Sequence, residues 1–124
     1  MGRSVLVGLG GVVGCLARYW LAGFVQQASN ADFPYGTLLV NLIGSFIIGV
    51  VVTLSLERGL LSAESRLLLA TGFCGGFTTM STFSYETLAL LRDGQSALAL
   101  GNVGGTVIGC LGAVWLGQLL ARLL

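Results

Sequence analysis

Long apolar stretches, separated by short polar segments, make up most of this 124-residue chain. Residues 35–56, 67–85 and 95–121 contain no charged side chain. Each stretch reaches or approaches the roughly 20 residues that an α-helix needs to cross a hydrocarbon core of about 30 Å. A further stretch, Ser4–Gln26, contains Arg18 as its only charge. The pattern predicts an all-α membrane protein of one domain, 1–124, with four spans at about 4–26, 35–56, 64–91 and 96–121.

The first stretch has a second interpretation, because Arg3 precedes the apolar run as the charged region of a secretory signal peptide would. We favour a span, since the rest of the chain would still be a membrane protein and the run Gly8–Gly14 suits helix packing. Composition agrees: 55% of the residues are hydrophobic and 9% are charged, whereas soluble domains carry about 25% charged residues.

Several functional classes lack the residues that they need. The net charge is +1 without clustered arginines, which excludes the basic surface of a nucleic-acid-binding protein. There is no His and no pair of carboxylates for acid–base catalysis or metal-assisted hydrolysis, so we do not expect an enzyme. Cys15, Cys74 and Cys110 are odd in number and lie within apolar stretches, as is typical of small apolar side chains rather than a disulfide framework or zinc site.

Arginines near the ends of the spans give only a weak preference for one orientation in the membrane. Four spans put one set of arginines on the side of both termini: Arg3, Arg58, Arg66 and Arg122. The other side has Arg92 and, at most, Arg18. Because orientation follows this imbalance, so small an excess permits insertion in both directions.

Glycine spacing indicates how the spans associate. Helices in a bilayer pack through small residues, because lipid tails are as apolar as leucine. Gly10 and Gly14 form a G-x-x-x-G pair in the first span, and Gly105 and Gly109 form another in the fourth. Four spans make a thin bundle that encloses no polar pathway by itself, and two-fold dimers are the commonest assemblies. We therefore expect a homo-oligomer, with these two glycine faces as candidate contacts.

The third span is interrupted by the sequence GFCGGFTTMSTFSYE at residues 72–86. Each glycine of Gly75–Gly76 costs roughly 1 kcal/mol of helix stability relative to alanine, which predicts a break over 75–78. Backbone left unpaired at membrane depth must be buried or face a cavity, and its carbonyl oxygens suit a hard cation. The alternative is an unbroken helix in which Ser and Thr bond back to their own carbonyls.

Beyond the predicted break, the candidate lining consists of Met80, the hydroxyl residues Ser81 and Thr82, and the aromatic residues Phe83 and Tyr85. Hydroxyls donate hydrogen bonds without a full charge, and aromatic rings have a positive edge. Such a lining suits a small anion that must also leave, because conduction requires binding that is not too deep.

Polar residues elsewhere in the spans are also candidates, because polar groups at membrane depth commonly mark a pathway. Asn41 lies in the second span and Asn102 in the fourth. Each could equally form a hydrogen bond between helices. Arg18 could serve a site or could extend its long stem to the membrane surface.

These motifs resemble the Fluc (CrcB) family of small fluoride channels over nearly the whole chain. The resemblance is carried by glycines 10, 11 and 14 with Arg18-Tyr19, by GTLLVNLIGSFIIG at 36–49, and most specifically by the sequence at 72–86. It implies passive, electrogenic export of fluoride across the cytoplasmic (inner) membrane, which lowers fluoride toxicity. It further implies an antiparallel, dual-topology homodimer with two pathways.

The resemblance also implies roles for individual residues. A structural sodium ion at the dimer centre would be held by the backbone carbonyls of Gly75 and Thr78 from both subunits. Asn41 and the segment 80–85 would form the fluoride pathway, with Ser81 and Thr82 as its polar track and Arg18 near an aqueous vestibule. The chain departs from the family pattern at Met80, where a phenylalanine is usual. A thioether has no ring edge, so the usual anion contact is in question there.

Two other functions remain open. A small multidrug-type proton-coupled exporter also has four helices, but it relies on a glutamate in the first helix, and Ser4–Gln26 has no carboxylate. A non-conducting assembly subunit would account for the glycines but would leave Asn41 and the hydroxyl run without a role.

Overall fold

The computed structural model describes all 124 residues and consists of helices and short connections. Helix α1 is Gly2–Ser29, α2 is Tyr35–Leu56, α4 is Met80–Arg92 and α5 is Ser96–Leu123. Helix α3 covers residues 63–77 in three parts, namely an α-helical turn at Ala63–Arg66, a π-helix at Leu67–Cys74 and a second α-helical turn at Gly75–Phe77. Helices α1, α2 and α5 are each long and apolar enough to cross a membrane.

The helix bounds differ in places from those predicted. Helix α2 has the predicted bounds, whereas α1 continues three residues beyond Gln26 to Ser29. It ends at Asn30, whose backbone is left-handed with φ of 45°, a conformation that asparagine tolerates at helix ends. The third predicted span, 64–91, is divided into α3 and α4, with two extended residues between them.

The helices pack in two close pairs, α1 with α3 and α2 with α5, and glycines permit the close approach. A Cβ atom added to Gly14 of α1 would overlap the carbonyl oxygen of Phe73 in α3. One added to Gly49 of α2 would lie 2.4–3.1 Å from backbone atoms of Val114 in α5 and would overlap its carbonyl. Helix-to-helix packing therefore uses the small residues as expected for a bilayer.

The two G-x-x-x-G faces have different surroundings in the chain. Gly10 and Gly14 are buried against α3, so the α1 face is occupied within the subunit and is not a contact left for a partner. On α5, Gly109 lies beside Leu42, whereas nothing comes within 4 Å of a Cβ built on Gly105. The prediction of a subunit contact therefore fails for α1, because the glycines there serve the subunit's own packing.

Most of the apolar side chains are exposed in the single chain. Only 22 of 124 residues are buried, which is the surface expected of a thin bundle surrounded by lipid or by another subunit rather than by water. At the side of the termini, Glu57 accepts hydrogen bonds from Arg122 at 2.8 and 3.0 Å and ties the end of α2 to the end of α5.

Candidate functional site

The helical path between α3 and α4 is interrupted at Thr78 and Thr79. Their backbones are extended, with φ and ψ of −91° and 160° and of −153° and 114°. The interruption does not start at Gly75–Gly76 as predicted, because both glycines have helical backbones in the last turn of α3. Gly76 instead permits packing, since an added Cβ would lie 2.5 Å from the carbonyl oxygen of Gly11 in α1.

Side chains from the two neighbouring helices hydrogen-bond to the backbone at this interruption. Asn41 of α2, which is 7% exposed, accepts from the Thr79 N–H at 2.8 Å and donates to the Thr79 carbonyl at 3.2 Å. From the opposite side, Nε of Arg18 in α1 donates to the carbonyl of Gly76 at 2.9 Å. The interrupted backbone is therefore hydrogen-bonded by partners distant in sequence, as backbone groups removed from water require.

Two carbonyls at the interruption are left without such partners. In a continuous helix the Thr79 N–H would serve the Gly75 carbonyl, but that N–H donates to Asn41 instead. The carbonyl of Thr78 accepts no hydrogen bond. Both residues line the same cavity, and Gly75 is exposed within the single chain. Two neutral oxygens without a carboxylate fit a hard monovalent cation such as sodium, provided that further oxygens complete the shell.

A cluster of hydroxyls follows the unpaired carbonyls at the start of α4. Thr79 caps the helix by accepting from the Thr82 N–H at 3.2 Å, and its Oγ1 donates to the Thr82 hydroxyl at 3.0 Å. The Ser81 hydroxyl lies 3.3 Å from the same atom. Sequence reasoning selected Ser81 and Thr82 but not Thr79 as site residues, although Thr is a common residue before a helix.

A groove with a volume of about 590 Å³ lies among α2, α3, α4 and α5. It brings together five of the predicted site residues: Asn41, Gly75, Thr78, Met80 and Phe83. Phe83 is buried there, whereas Met80 is 69% exposed. The groove also contains Thr79, Thr106 and Cys110, which the sequence analysis did not assign to the site.

The remaining predicted residues lie outside this groove. Arg18 contacts α3 from the α1 side, and Ser81 and Thr82 reach the groove only through their bonds to Thr79. Tyr85 is 71% exposed and lines a second cavity. The structure therefore separates Tyr85 from the other aromatic candidate, Phe83, which faces the first groove.

The second cavity, of about 390 Å³, contains acidic residues that sequence reasoning did not select. Glu86 accepts a hydrogen bond from the hydroxyl of buried Thr37 in α2. Asp32 lies at the same cavity and accepts from Gln95 at 3.1 Å. Glu86 directly follows the uncharged residues 67–85, so it is not among the polar residues inside that stretch.

A buried polar chain connects α4 to α5 beside the first groove. Asn102, which is 1% exposed, donates to Thr87 at 2.9 Å and accepts from Thr106 at 3.3 Å. Thr87 in turn donates to the carbonyl of Phe83 at 2.7 Å. Of the two interpretations left open for Asn102, hydrogen bonding between helices describes the contacts that this side chain makes.

Comparison with known proteins gives consistent matches over the chain. A family model described as CrcB-like protein, Camphor Resistance (CrcB), matches residues 5–118. A protein of Citrifermentans bemidjiense is 46% identical over 124 residues, covering 100% of both chains. Proteins of Geobacter metallireducens and Chlorobaculum tepidum are each 50% identical, covering 95% of both chains in the first case and 99% and 97% in the second. All three relatives carry the name fluoride-specific ion channel FluC.

Proposed function

The chain belongs to the CrcB family, and we propose from this membership that it is a fluoride-selective ion channel. Fluoride passes down its electrochemical gradient out of the cell and lowers the toxic concentration in the cytoplasm. The channel is a multi-pass protein of the cytoplasmic (inner) membrane. The observation that carries the proposal is a polar backbone interruption at residues 78 and 79, supported by Asn41 and Arg18 within an apolar bundle.

The functional unit in this proposal is an antiparallel, dual-topology homodimer, with the interruption near the middle of the membrane. A single chain in lipid would present the unpaired carbonyls of Gly75 and Thr78 to hydrocarbon, which costs several kcal/mol per group. A second copy seated on the groove removes that exposure. The uncovered glycine Gly105 and the exposed Ile108 and Leu111 extend the same surface along α5.

A structural sodium ion at the dimer centre completes this proposal. The carbonyls of Gly75 and Thr78 would hold the ion, and a two-fold axis through the groove would double their number to a set of four oxygens. The ion supplies a positive charge that compensates the unpaired carbonyl dipoles in a region without water. The chemistry of these neutral oxygens matches that requirement, since no carboxylate lines the groove.

Fluoride in this proposal moves along the surface formed by α2 and the first turns of α4. Hydroxyls of Ser81, Thr82 and Thr79 replace part of the water that the anion gives up, and the edge of the Phe83 ring offers partial positive charge. Neutral donors of this kind bind the anion without holding it too deeply. Asn41 and Met80 complete the pathway, and Tyr85 contributes at its mouth.

Efflux from liposomes tests this function. The purified protein is reconstituted in vesicles loaded with potassium fluoride, and release is recorded with a fluoride electrode with and without a potassium ionophore. A passive electrogenic channel releases fluoride only when the ionophore carries the compensating potassium. Chloride-loaded vesicles are the selectivity control.

Two other outcomes would contradict the channel. Release driven by a proton gradient without the ionophore would support a proton-coupled exporter. Absence of release from vesicles that contain folded protein would support a non-conducting assembly subunit.

A further inference from the structure

Arg18 is the charged side chain placed within the membrane-spanning part of α1, and its one hydrogen bond goes to the backbone of α3. Its Nε donates to the carbonyl oxygen of Gly76 at 2.9 Å, and the contact is partly buried. An arginine side chain at membrane depth costs free energy unless its N–H donors form hydrogen bonds. This bond therefore indicates what the side chain does in the folded protein.

The carbonyl that Arg18 contacts has lost its usual donor. In a continuous helix the N–H of Met80 would serve the Gly76 carbonyl, but the extended residues Thr78 and Thr79 separate the two. The guanidinium takes that place. A hydrogen bond from a charged donor is roughly twice as strong as a neutral one, so Arg18 holds this last turn more firmly than the missing bond would.

The position of the last turn of α3 is further restricted by direct backbone packing. A Cβ added to Gly76 would lie 2.5 Å from the Gly11 carbonyl and 3.0 Å from the Cys15 amide. On the other side of the interruption, Asn41 holds both backbone groups of Thr79. The unpaired carbonyl of Thr78 lies between these two held points, and that of Gly75 belongs to the residue directly before the first of them.

We propose that Arg18 is a positioning residue for the Gly75 and Thr78 carbonyls: it turns the Gly76 carbonyl toward α1 and so keeps the other two directed at the groove. This inference rests on the proposed function, because it concerns the oxygens proposed to hold sodium. It gives Arg18 a role through the backbone of α3 rather than as a ligand of the anion. Its charge alone does not suffice, because lysine lacks a donor at the Nε position.

The test measures sodium dependence separately from conduction. Thermal unfolding of the detergent-solubilised protein is recorded as sodium chloride replaces potassium chloride at constant ionic strength, for wild type, Arg18→Lys and Arg18→Gln. We expect both variants to need about tenfold more sodium for half of the maximal stabilisation, since a hydrogen bond to a charged group is lost. Arg92→Gln is the matched control and should keep the wild-type midpoint, because Arg92 lies at the end of α4, away from the interruption.

The outcomes separate this inference from the proposed function. Arg18→Lys with an unchanged sodium midpoint overturns the positioning role, and so does a wild-type protein whose thermal unfolding does not depend on sodium. Variants that lose fluoride efflux but keep the sodium midpoint make Arg18 an anion ligand and also overturn it. If Arg18→Gln does not fold, Arg18→Lys decides the question by the same criterion. A folded wild-type protein that releases no fluoride instead fails the proposed function.

Discussion

The amide group of Asn41 pairs with both backbone groups of Thr79, at 2.8 Å to its N–H and 3.2 Å to its carbonyl. The side chain thus gives Thr79 the same pair of hydrogen bonds that a neighbouring β-strand would provide. Thr79 is extended and has no helical partner for these groups. This pairing stabilises the interruption, because it replaces the helical hydrogen bonds that Thr79 lacks.

Asn41→Asp should disrupt this pairing. Aspartate keeps an acceptor for the Thr79 N–H but places an oxygen against the Thr79 carbonyl, and it adds negative charge to the proposed fluoride pathway. Loss of a buried partner costs about 1–3 kcal/mol, so we expect a lower melting temperature and at least a roughly tenfold loss of fluoride efflux. Asn30→Asp is the control, since Asn30 is exposed at the end of α1. Wild-type efflux in Asn41→Asp would contradict this assignment.

Met80→Phe should leave fluoride efflux intact or raise it. Position 80 lines the groove and is 69% exposed in the single chain, so a ring has space there and adds a positive edge. Initial efflux rates at matched protein density measure the effect. Leu88→Phe, on an exposed position of the same helix, controls for the added ring. A large loss in Met80→Phe alone would remove position 80 from the pathway.

Thr82→Ala and Ser81→Ala should each slow fluoride efflux, because each removes a donor from the hydroxyl cluster around Thr79. Ser84→Ala is a matched control on the same helix, since the Ser84 hydroxyl donates to the Met80 carbonyl in its own helix. The comparison uses efflux rates and melting temperatures together, so that loss of stability is not mistaken for loss of a donor. Wild-type rates in both variants would exclude this polar track.

Gly14→Ala should destabilise the protein, because its methyl group would overlap the Phe73 carbonyl, and backbone cannot move aside as a side chain can. Overpacking of this kind costs about 1–3 kcal/mol. Gly8→Ala, on the same helix with nothing within 4 Å of the added atom, should be neutral or stabilising by up to about 1 kcal/mol. Thermal unfolding in detergent compares the two. Equal melting temperatures would show that α1 and α3 are less closely packed than described.

Acid should weaken the tie between α2 and α5. The hydrogen bond from Arg122 holds the pKa of Glu57 below its ordinary value of 4.5. A lowered pKa in the folded state adds stability above the ordinary value, and that stability is lost as the pH falls through the lowered pKa. Both side chains are exposed, so the effect is small.

Glu57→Gln should therefore lower the melting temperature slightly at neutral pH and should reduce its fall in acid. Glu64→Gln, which removes a carboxylate in the first turn of α3, serves as the control. Identical acid profiles for wild type and Glu57→Gln would contradict a stabilising ion pair.

Residue patterns predicted the three helices that are long and apolar enough to cross a membrane, α1, α2 and α5, because length and the absence of charge decide what can cross a bilayer. The same patterns located the segment with unusual chemistry, since consecutive glycines and hydroxyls are unusual in such a span. They could not locate the interruption to the residue, nor the π-helical part of α3 before it. Helix propensity describes how much a residue destabilises its own helix. It does not include the hydrogen-bond partners that neighbouring helices supply.

What the sequence by itself determined is therefore a membrane-spanning helical chain with a polar segment in its third span. Only the tertiary structure decided that Gly76 is helical while Thr79 is not, and the reason is physical. The backbone of α1 approaches too closely for any side chain at position 76, whereas an amide 38 residues away replaces the helical bonds of Thr79. Contacts between helices, rather than the residues at the interruption, determine where the backbone leaves the helix.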